Sequence, residues 1–386
     1  MDLDFSPRHR AFRAEIRDWL AANVPARPLA PMDTPEGFEQ HREWERRLHA
    51  DRWSVVAWPE RYGGRDADLV EWLVFEEEYW ASGAPGRVSA NGISLLAPTI
   101  FAFGTPEQQD RFLPPMAAGD EIWAQGWSEP EAGSDLANIS TRAVRDGDHY
   151  VITGQKTWCS RGAWADWIFC LVRTDPDAER HAGLSYLLVP GDAPGLERRP
   201  VRRLDGQPGF AELFFDECRV PVANRLGDEG DGWRVAMATA GSERGLNLRS
   251  PGRFLAAAAR LVELARGRAD DLDPSLAEEV ARAWIAAEAY RWQTYMTAAR
   301  LADGGGLGPE ASLMKIWWSE LDLELHATAL RILGDRAELV AGAPHAEADG
   351  AWLDGYVFAL SGPIYAGTNE IQRNIVAERV LGLPRR

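Results

Sequence analysis

The hydrophobic period changes twice along this chain, and those two changes limit what it can fold into. From Ser6 to about Leu113 apolar residues recur at spacings of three and four. Phe12, Ile16, Trp19 and Leu20 line one such face, with charged residues between them. Around Glu121 the pattern becomes alternating, and from Gly232 the helical period returns and holds nearly to the end. Helices, then strands, then helices predict a multidomain α+β chain with its sheet segregated from its helices. We expect a helical domain at 1–120, a β domain at 121–228 and a helical domain at 229–386.

Local signals sharpen the elements. Thr34-Pro35-Glu36 starts a helix running to about His49, with proline at the first helical position. Leu69 to Tyr79 reads as helix, with Glu76–Glu78 expected on a solvated face. Thr105 followed by Gln108 has the capping-box spacing. Strands are expected at Glu121–Trp127, Ser140–Val144, Tyr150–Trp158, Trp167–Arg173, Leu184–Pro190, Leu196–Arg202 and Ala211–Val220. The turn signals between them include Asp146-Gly147-Asp148 and Pro190-Gly191-Asp192. Short strands at this spacing predict a small barrel or sandwich. Later helices are expected at Gly232–Gly245, Gly252–Arg268, Pro274–Ala302, Pro309–Leu333 and Glu370–Val380.

Composition narrows the partners. With 42 basic against 59 acidic residues and a net charge of −17, the charge balance argues against nucleic acid or an anionic membrane as a partner. The 3 cysteines (Cys159, Cys170, Cys218) show no metal spacing and no disulfide framework. With no secretory signal and no membrane-length apolar run, the expectation is a cytoplasmic protein without a metal site.

Three stretches carry candidate chemistry. In Gln125-Gly126-Trp127-Ser128-Glu129-Pro130-Glu131-Ala132-Gly133-Ser134-Asp135, Pro130 and Gly133 make a tight loop. Ser128 and Ser134 add hydroxyls beside exposed backbone N–H groups, a combination able to hold a heterocycle edge or a pyrophosphate. In Gly154–Ser160, strand alternation puts Trp158 and Ser160 on one side, where an indole and a hydroxyl can address one planar ligand. In Pro363–Arg373, Thr368 suits an N-cap before a helix whose Ile371, Ile375 and Val376 face inward. A small-residue turn feeding a helix start offers free N–H groups to an anion or a carbonyl. Taken singly, each stretch is also an ordinary turn or core segment.

Together they resemble the acyl-CoA dehydrogenase family. WSEPEAGSDLA is similar to that family's T-E-P-x-A-G-S-D element, GQKTWCS to G-x-K-x-W-I-T, and YAGTNEIQR to Y-E-G-T-x-x-I-Q-R. WPERYGG and GTPEQQ are similar to weaker N-terminal elements, so the likeness spans almost the whole chain in order. It implies an N-terminal α-helical domain, a middle β-barrel, a C-terminal four-helix bundle, and FAD between barrel and bundle. By the same likeness Gln125, Trp127, Ser128, Gly133, Ser134, Trp158, Cys159, Ser160, Thr368 and Glu370 would hold the cofactor. Ser134, Arg244, Tyr365, Ala366 and Gly367 would meet the substrate. The reaction implied is α,β-desaturation of an acyl thioester carried by coenzyme A or a carrier protein. An electron-transferring flavoprotein is the implied acceptor, and fatty-acid or steroid side-chain metabolism the setting.

Two departures matter. The family's usual base, the Glu of Y-E-G-T, is Ala366 here, which has nothing to accept a proton. Some members supply the base from an earlier helix, and in that register Glu243, followed by Arg244, takes the position. The segments that reach a neighbouring subunit's FAD also differ, reading Arg266-Gly267-Arg268-Ala269-Asp270-Asp271 and Ile332-Leu333-Gly334-Asp335. A drifted homo-oligomer and a hetero-oligomer, dimer or tetramer, both fit. Two other readings stay open: a flavin-dependent oxidase or oxygenase on the same fold, and a non-catalytic subunit completing a partner's flavin site.

Overall fold

A computed structural model describes residues 4–244, 250–309 and 311–384. In chain order the first helices are α1 (Pro7–Asn23), α2 (Pro35–Ala50), α3 (Leu69–Ala81), α4 (Ala97–Phe103) and α5 (Pro106–Ala118). The strands are β1 (Trp123–Gly126), β2 (Arg142–Asp146), β3 (His149–Ser160), β4 (Trp167–Arg173), β5 (Leu184–Pro190), β6 (Leu196–Val201), β7 (Phe210–Pro221) and β8 (Arg225–Leu226). Then come α6 (Gly232–Arg244), α7 (Pro251–Arg266), α8 (Pro274–Ala302), α9 (Ala311–Leu333), α10 (Ala351–Ala359) and α11 (Asn369–Ile375). The helix–sheet–helix order expected from the period changes is present. The chain forms two compact units, one of residues 1–24, 67–84 and 244–386, the other of residues 25–66 and 85–243.

The second unit is built on one sheet of eight strands in the order β6-β7-β3-β2-β4-β5-β8, with β1 added parallel to β4. The β1–β4 register sets Trp123 opposite Trp167, and the two indoles stack at 5.2 Å with Phe112 of α5 edge-on to both. Behind the sheet Ile152, Cys159, Ile168, Cys170, Leu187, Leu213 and Cys218 close a core with no solvent exposure. Thr34 and Thr105 cap α2 and α5 as expected, and Thr105 with Gln108 completes the capping box. On α6, buried Thr239 meets Thr99 at 2.8 Å and Tyr186 at 3.3 Å.

In the first unit α7, α8 and α9 pack together, and α10 and α11 pack on α9. Phe254, Leu261, Ala287, Tyr290, Trp318 and Leu325 fill that core. Glu76–Glu78 correct the expectation of a solvated face. Glu77 is buried between Arg13 and Arg291 at 2.7 and 2.6 Å, Glu78 pairs with Arg17, and Glu76 accepts the Ser250 hydroxyl. Two of the three acids are thus paired with arginines on α1 and α8, which offsets the cost of placing their charges away from solvent. No helix among the described residues is long and apolar enough to cross a membrane.

Candidate active site

The loop after β1 is shaped by its own backbone and by one buried carboxylate. Glu129 and Ala132 exchange both backbone hydrogen bonds (3.0 and 3.1 Å), closing a tight turn around Pro130 and Glu131. The chain leaves that turn through Gly133 and Ser134, both exposed, whose N–H groups donate to nothing among the described residues. A Cβ added at Gly133 would meet no atom within 4 Å, so the approach is open. Two free N–H groups at an exposed loop are suited to an anion. Gln125 and Ser128 are half-buried, while Trp127 is buried edge-on to Phe169 and Tyr186, its indole N–H without an acceptor among the described residues.

The strand alternation expected for Gly154–Ser160 is broken. β3 shifts register against β7 between Lys156 and Cys159, and Trp158 takes a left-handed φ of +59°. Lys156, Thr157 and Cys159 are buried, whereas Trp158 is 62 % exposed with the edge of Phe210 against it (5.7 Å). The bulge aims one large indole outward from a strand otherwise committed to the core. Ser160, half-buried, comes two residues later. Cys159, expected beside the cofactor, turns its side chain inward. Its thiol lies in the sheet core and burial pushes it far above its ordinary pKa, which leaves only its backbone for contact with a cofactor.

An exposed aromatic in a strained conformation, a hydroxyl beside it, and a loop with unused N–H groups suit a flat heterocycle carrying a pyrophosphate. By that test these residues fit FAD.

In the other unit, the loop before α11 is pinned from several directions. Thr368 caps α11 by accepting from the Ile371 N–H at 3.2 Å. Ala366 and Gly367 both lie in the left-handed region, at φ +57° and +78°. Their carbonyls accept from the Gln372 side-chain amide at 2.9 and 3.3 Å, while the Ala366 N–H has no acceptor among the described residues. Tyr365 is half-buried against Trp318. The buried face of α11 is not the expected apolar one: Asn369 and Gln372 are buried, and Ile371, Ile375 and Val376 only partly so. Asn369 accepts from buried Lys315 at 2.7 Å and from Ser319 at 3.2 Å. Glu370 is exposed, and its carboxyl sits below the ordinary range because its backbone N–H and the Thr368 hydroxyl favour the ionised form.

Glu243 and Arg244 end α6, but their side chains lie outside the described residues, as do residues 245–249. Gly334 (φ +55°) and Asp335 stand exposed after α9, and Arg266 pairs with Glu263 at the exposed end of α7. Four residues went unrecognised in the motif reading: Glu129, Lys156, Lys315 and Gln372. The signal available was a charged or amide side chain inside a segment whose neighbours are apolar or small.

Comparisons with known proteins bear on both halves. Residues 6–120, 124–218 and 230–381 match the N-terminal, middle and C-terminal domains of acyl-CoA dehydrogenase. The chain is 42 % identical over 381 residues to acyl-CoA dehydrogenase IpdE1 of Mycobacterium tuberculosis, covering 97 % of each. The ChsE4-ChsE5 complex from Mycobacterium tuberculosis matches with a TM-score of 0.85 at 34 % identity, over 100 % of each chain. The Tcur3481-Tcur3483 steroid ACAD matches with a TM-score of 0.88 at 29 % identity, also over 100 % of each. Fold and site thus define an FAD-dependent oxidoreductase acting on CH–CH groups. The chain belongs to the acyl-CoA dehydrogenase family, which catalyses FAD-dependent dehydrogenation of acyl thioesters.

Proposed function

We propose that this protein desaturates the α,β-bond of a bulky, steroid-type acyl-CoA thioester, with Glu243 as the base that removes the α-proton. The observation that carries this reading is the Ala366 turn. It presents an N–H with no acceptor among the described residues, beside a side chain that cannot take a proton. That N–H, joined by Gly367, would polarise the thioester carbonyl and make the α-proton more acidic. A carboxylate must then come from elsewhere, and Glu243 sits in the register where some family members carry it. FAD, when bound, supplies the acceptor for the β-hydrogen and its electron pair. Gly133 and Ser134 would hold its phosphates; Trp158 and Ser160 would address the ring, with Gln125, Trp127, Ser128 and the Cys159 backbone around them; Thr368 and Glu370 would meet it through α11. Arg244 and Tyr365, with Ser134, would position the thioester.

The steroid-type substrate is supported by the match to the Tcur3481-Tcur3483 steroid ACAD and by Ala240 and Gly241, which keep the residues just before Glu243 small. We also infer a hetero-oligomer. Two matched structures are named as pairs of different chains, and Asp335 places a carboxylate where a partner's pyrophosphate would otherwise approach. Domain limits at 120/121 and 228/229, an electron-transferring flavoprotein as acceptor and a cytoplasmic setting complete the proposal.

The test is anaerobic reduction of the flavin by acyl-CoAs, in Glu243→Gln against the parent. A loss of about 10³-fold in reduction rate with FAD retained is expected for removal of a general base. A variant that reduces as fast as the parent would refute the assignment, and straight-chain preference would refute the substrate class.

A further inference from the structure

The charged pair Glu129–Lys156 lies wholly inside the unit that carries Gly133, Ser134, Trp158 and Ser160 of the proposed flavin site. The Lys156 ammonium has no solvent exposure and the Glu129 side chain 5 %, with Nζ 2.8 Å from Oε1. Lys156 spends a second donor on the Trp127 carbonyl at 3.0 Å. The other lone pairs of Glu129 are filled by the Ser140 N–H and hydroxyl (2.6 and 2.8 Å) and by the Thr141 N–H (2.8 Å). A sixth link runs alongside, from the Thr157 N–H to the Ser128 carbonyl at 2.9 Å.

These bonds join three separate segments: 127–132, 140–141 and 156–157. Two of the three lead directly into proposed flavin contacts. The chain continues from Ala132 straight into Gly133 and Ser134, and from Thr157 straight into Trp158. The turn closed by Glu129 therefore sets where the free N–H groups lie, and the strand end held by Lys156 sets where the indole lies. A hydrophobic pair could fill the same volume, but it could not bond the Trp127 carbonyl or the Ser140 and Thr141 amides. Burial alone would raise the Glu129 carboxyl. The Lys156 charge and the bonds from Lys156, Thr141 and Ser140 outweigh that and bring it to about 2, so it is ionised at neutral pH.

We propose that Glu129 and Lys156 are positioning residues for FAD, holding the Gly133–Ser134 loop and the Trp158 bulge at the spacing the cofactor needs. The inference rests on the flavin-site reading above. Buried pairs are often replaceable without loss of stability, which makes the role separable from folding.

The test compares Lys156→Met, Glu129→Gln and the double variant, in the assembly in which the protein is purified, stripped of flavin. FAD is titrated by quenching of its fluorescence, thermal unfolding is followed by circular dichroism, and the bound flavin's visible circular dichroism is recorded. The single variants should unfold earlier, because each leaves a buried charge without its partner. The double variant should recover most of the parent's thermal stability yet bind FAD about 10-fold more weakly, with an altered visible spectrum. A double variant that matches the parent in both affinity and spectrum would overturn the positioning role and leave the flavin site intact. A parent that binds no FAD would overturn the flavin-site reading, and this inference with it.

Discussion

Gly154→Ala should damage the end of β3 that we propose faces the flavin, and should do so through its neighbour Thr141. Gly154 has φ +149°, a conformation that L-residues rarely adopt, so alanine there is strained by about 1–3 kcal/mol before any contact is made. Its new Cβ would lie 2.6 Å from the Thr141 hydroxyl and 2.7 Å from the Thr141 Cα. Ordinary contact begins near 3.4 Å, so a backbone atom must retreat by roughly 0.7 Å. The Thr141 N–H donates to Glu129 at 2.8 Å, and the same retreat would stretch that bond to about 3.5 Å, the edge of hydrogen bonding. Strain and overpacking together amount to about 3 kcal/mol. Calorimetric unfolding and FAD titration should therefore move together. Gly147→Ala is the control: its φ of +61° carries strain too, but its Cβ would meet nothing within 4 Å, so only about 1 kcal/mol should be lost, with FAD affinity unchanged. If Gly154→Ala costs no more than the control, crowding against Thr141 is refuted.

The Glu129 carboxyl predicts an acid response. Its folded value of about 2 lies below its ordinary 4.5, so its stabilisation is complete above about 4.5 and is lost as pH falls toward 2. That difference is worth about 3 kcal/mol, and an equal acid slope in Glu129→Gln and the parent would show that other groups carry it. Asn369→Ala should lower stability by about 2 kcal/mol, because buried Lys315 loses its 2.7 Å acceptor. It should also raise KM for the thioester, since Asn369 opens the helix just after Ala366; an unchanged KM in a destabilised variant would separate that helix from substrate binding.

Most of the fold was legible because its boundaries are punctuated locally. Thr34, Thr105 and Thr368 cap the helices that their sequences announce, and the turns at Asp146–Asp148 and Pro190–Asp192 separate strands as expected. The features that escaped were non-local. Glu76–Glu78 look solvated until arginines from two other helices arrive beside them. Lys156 finds its carboxylate 27 positions away, and the bulge that turns Trp158 outward depends on pairing with β7, which alternation within β3 cannot reveal. The helix α10 went unread because Ala351–Ala359 mixes glycine, acid and aromatics without a clear stripe. The proposed site residues stand in motifs that the sequence displays; the side chains that support those segments do not.

The turn at Ala366 shows why a base can leave this loop without the loop losing its use. None of the hydrogen bonds described for it involves the side chain at 366. Thr368 caps the helix, Gln372 gathers the carbonyls of Ala366 and Gly367, and Asn369 ties the helix start to Lys315 and Ser319. The direction of the Ala366 N–H is therefore a property of backbone and neighbours, independent of whether an acid, an alanine or a glycine occupies the position. Alanine in a left-handed conformation sacrifices about 1 kcal/mol there, a loss the surrounding hydrogen bonds absorb. Under the proposed function, carbonyl polarisation and proton removal are thus separable. On our reading the first stays in the turn at Ala366, while the second moves to Glu243 on α6, and the space a glutamate would fill at 366 is left for a wider substrate.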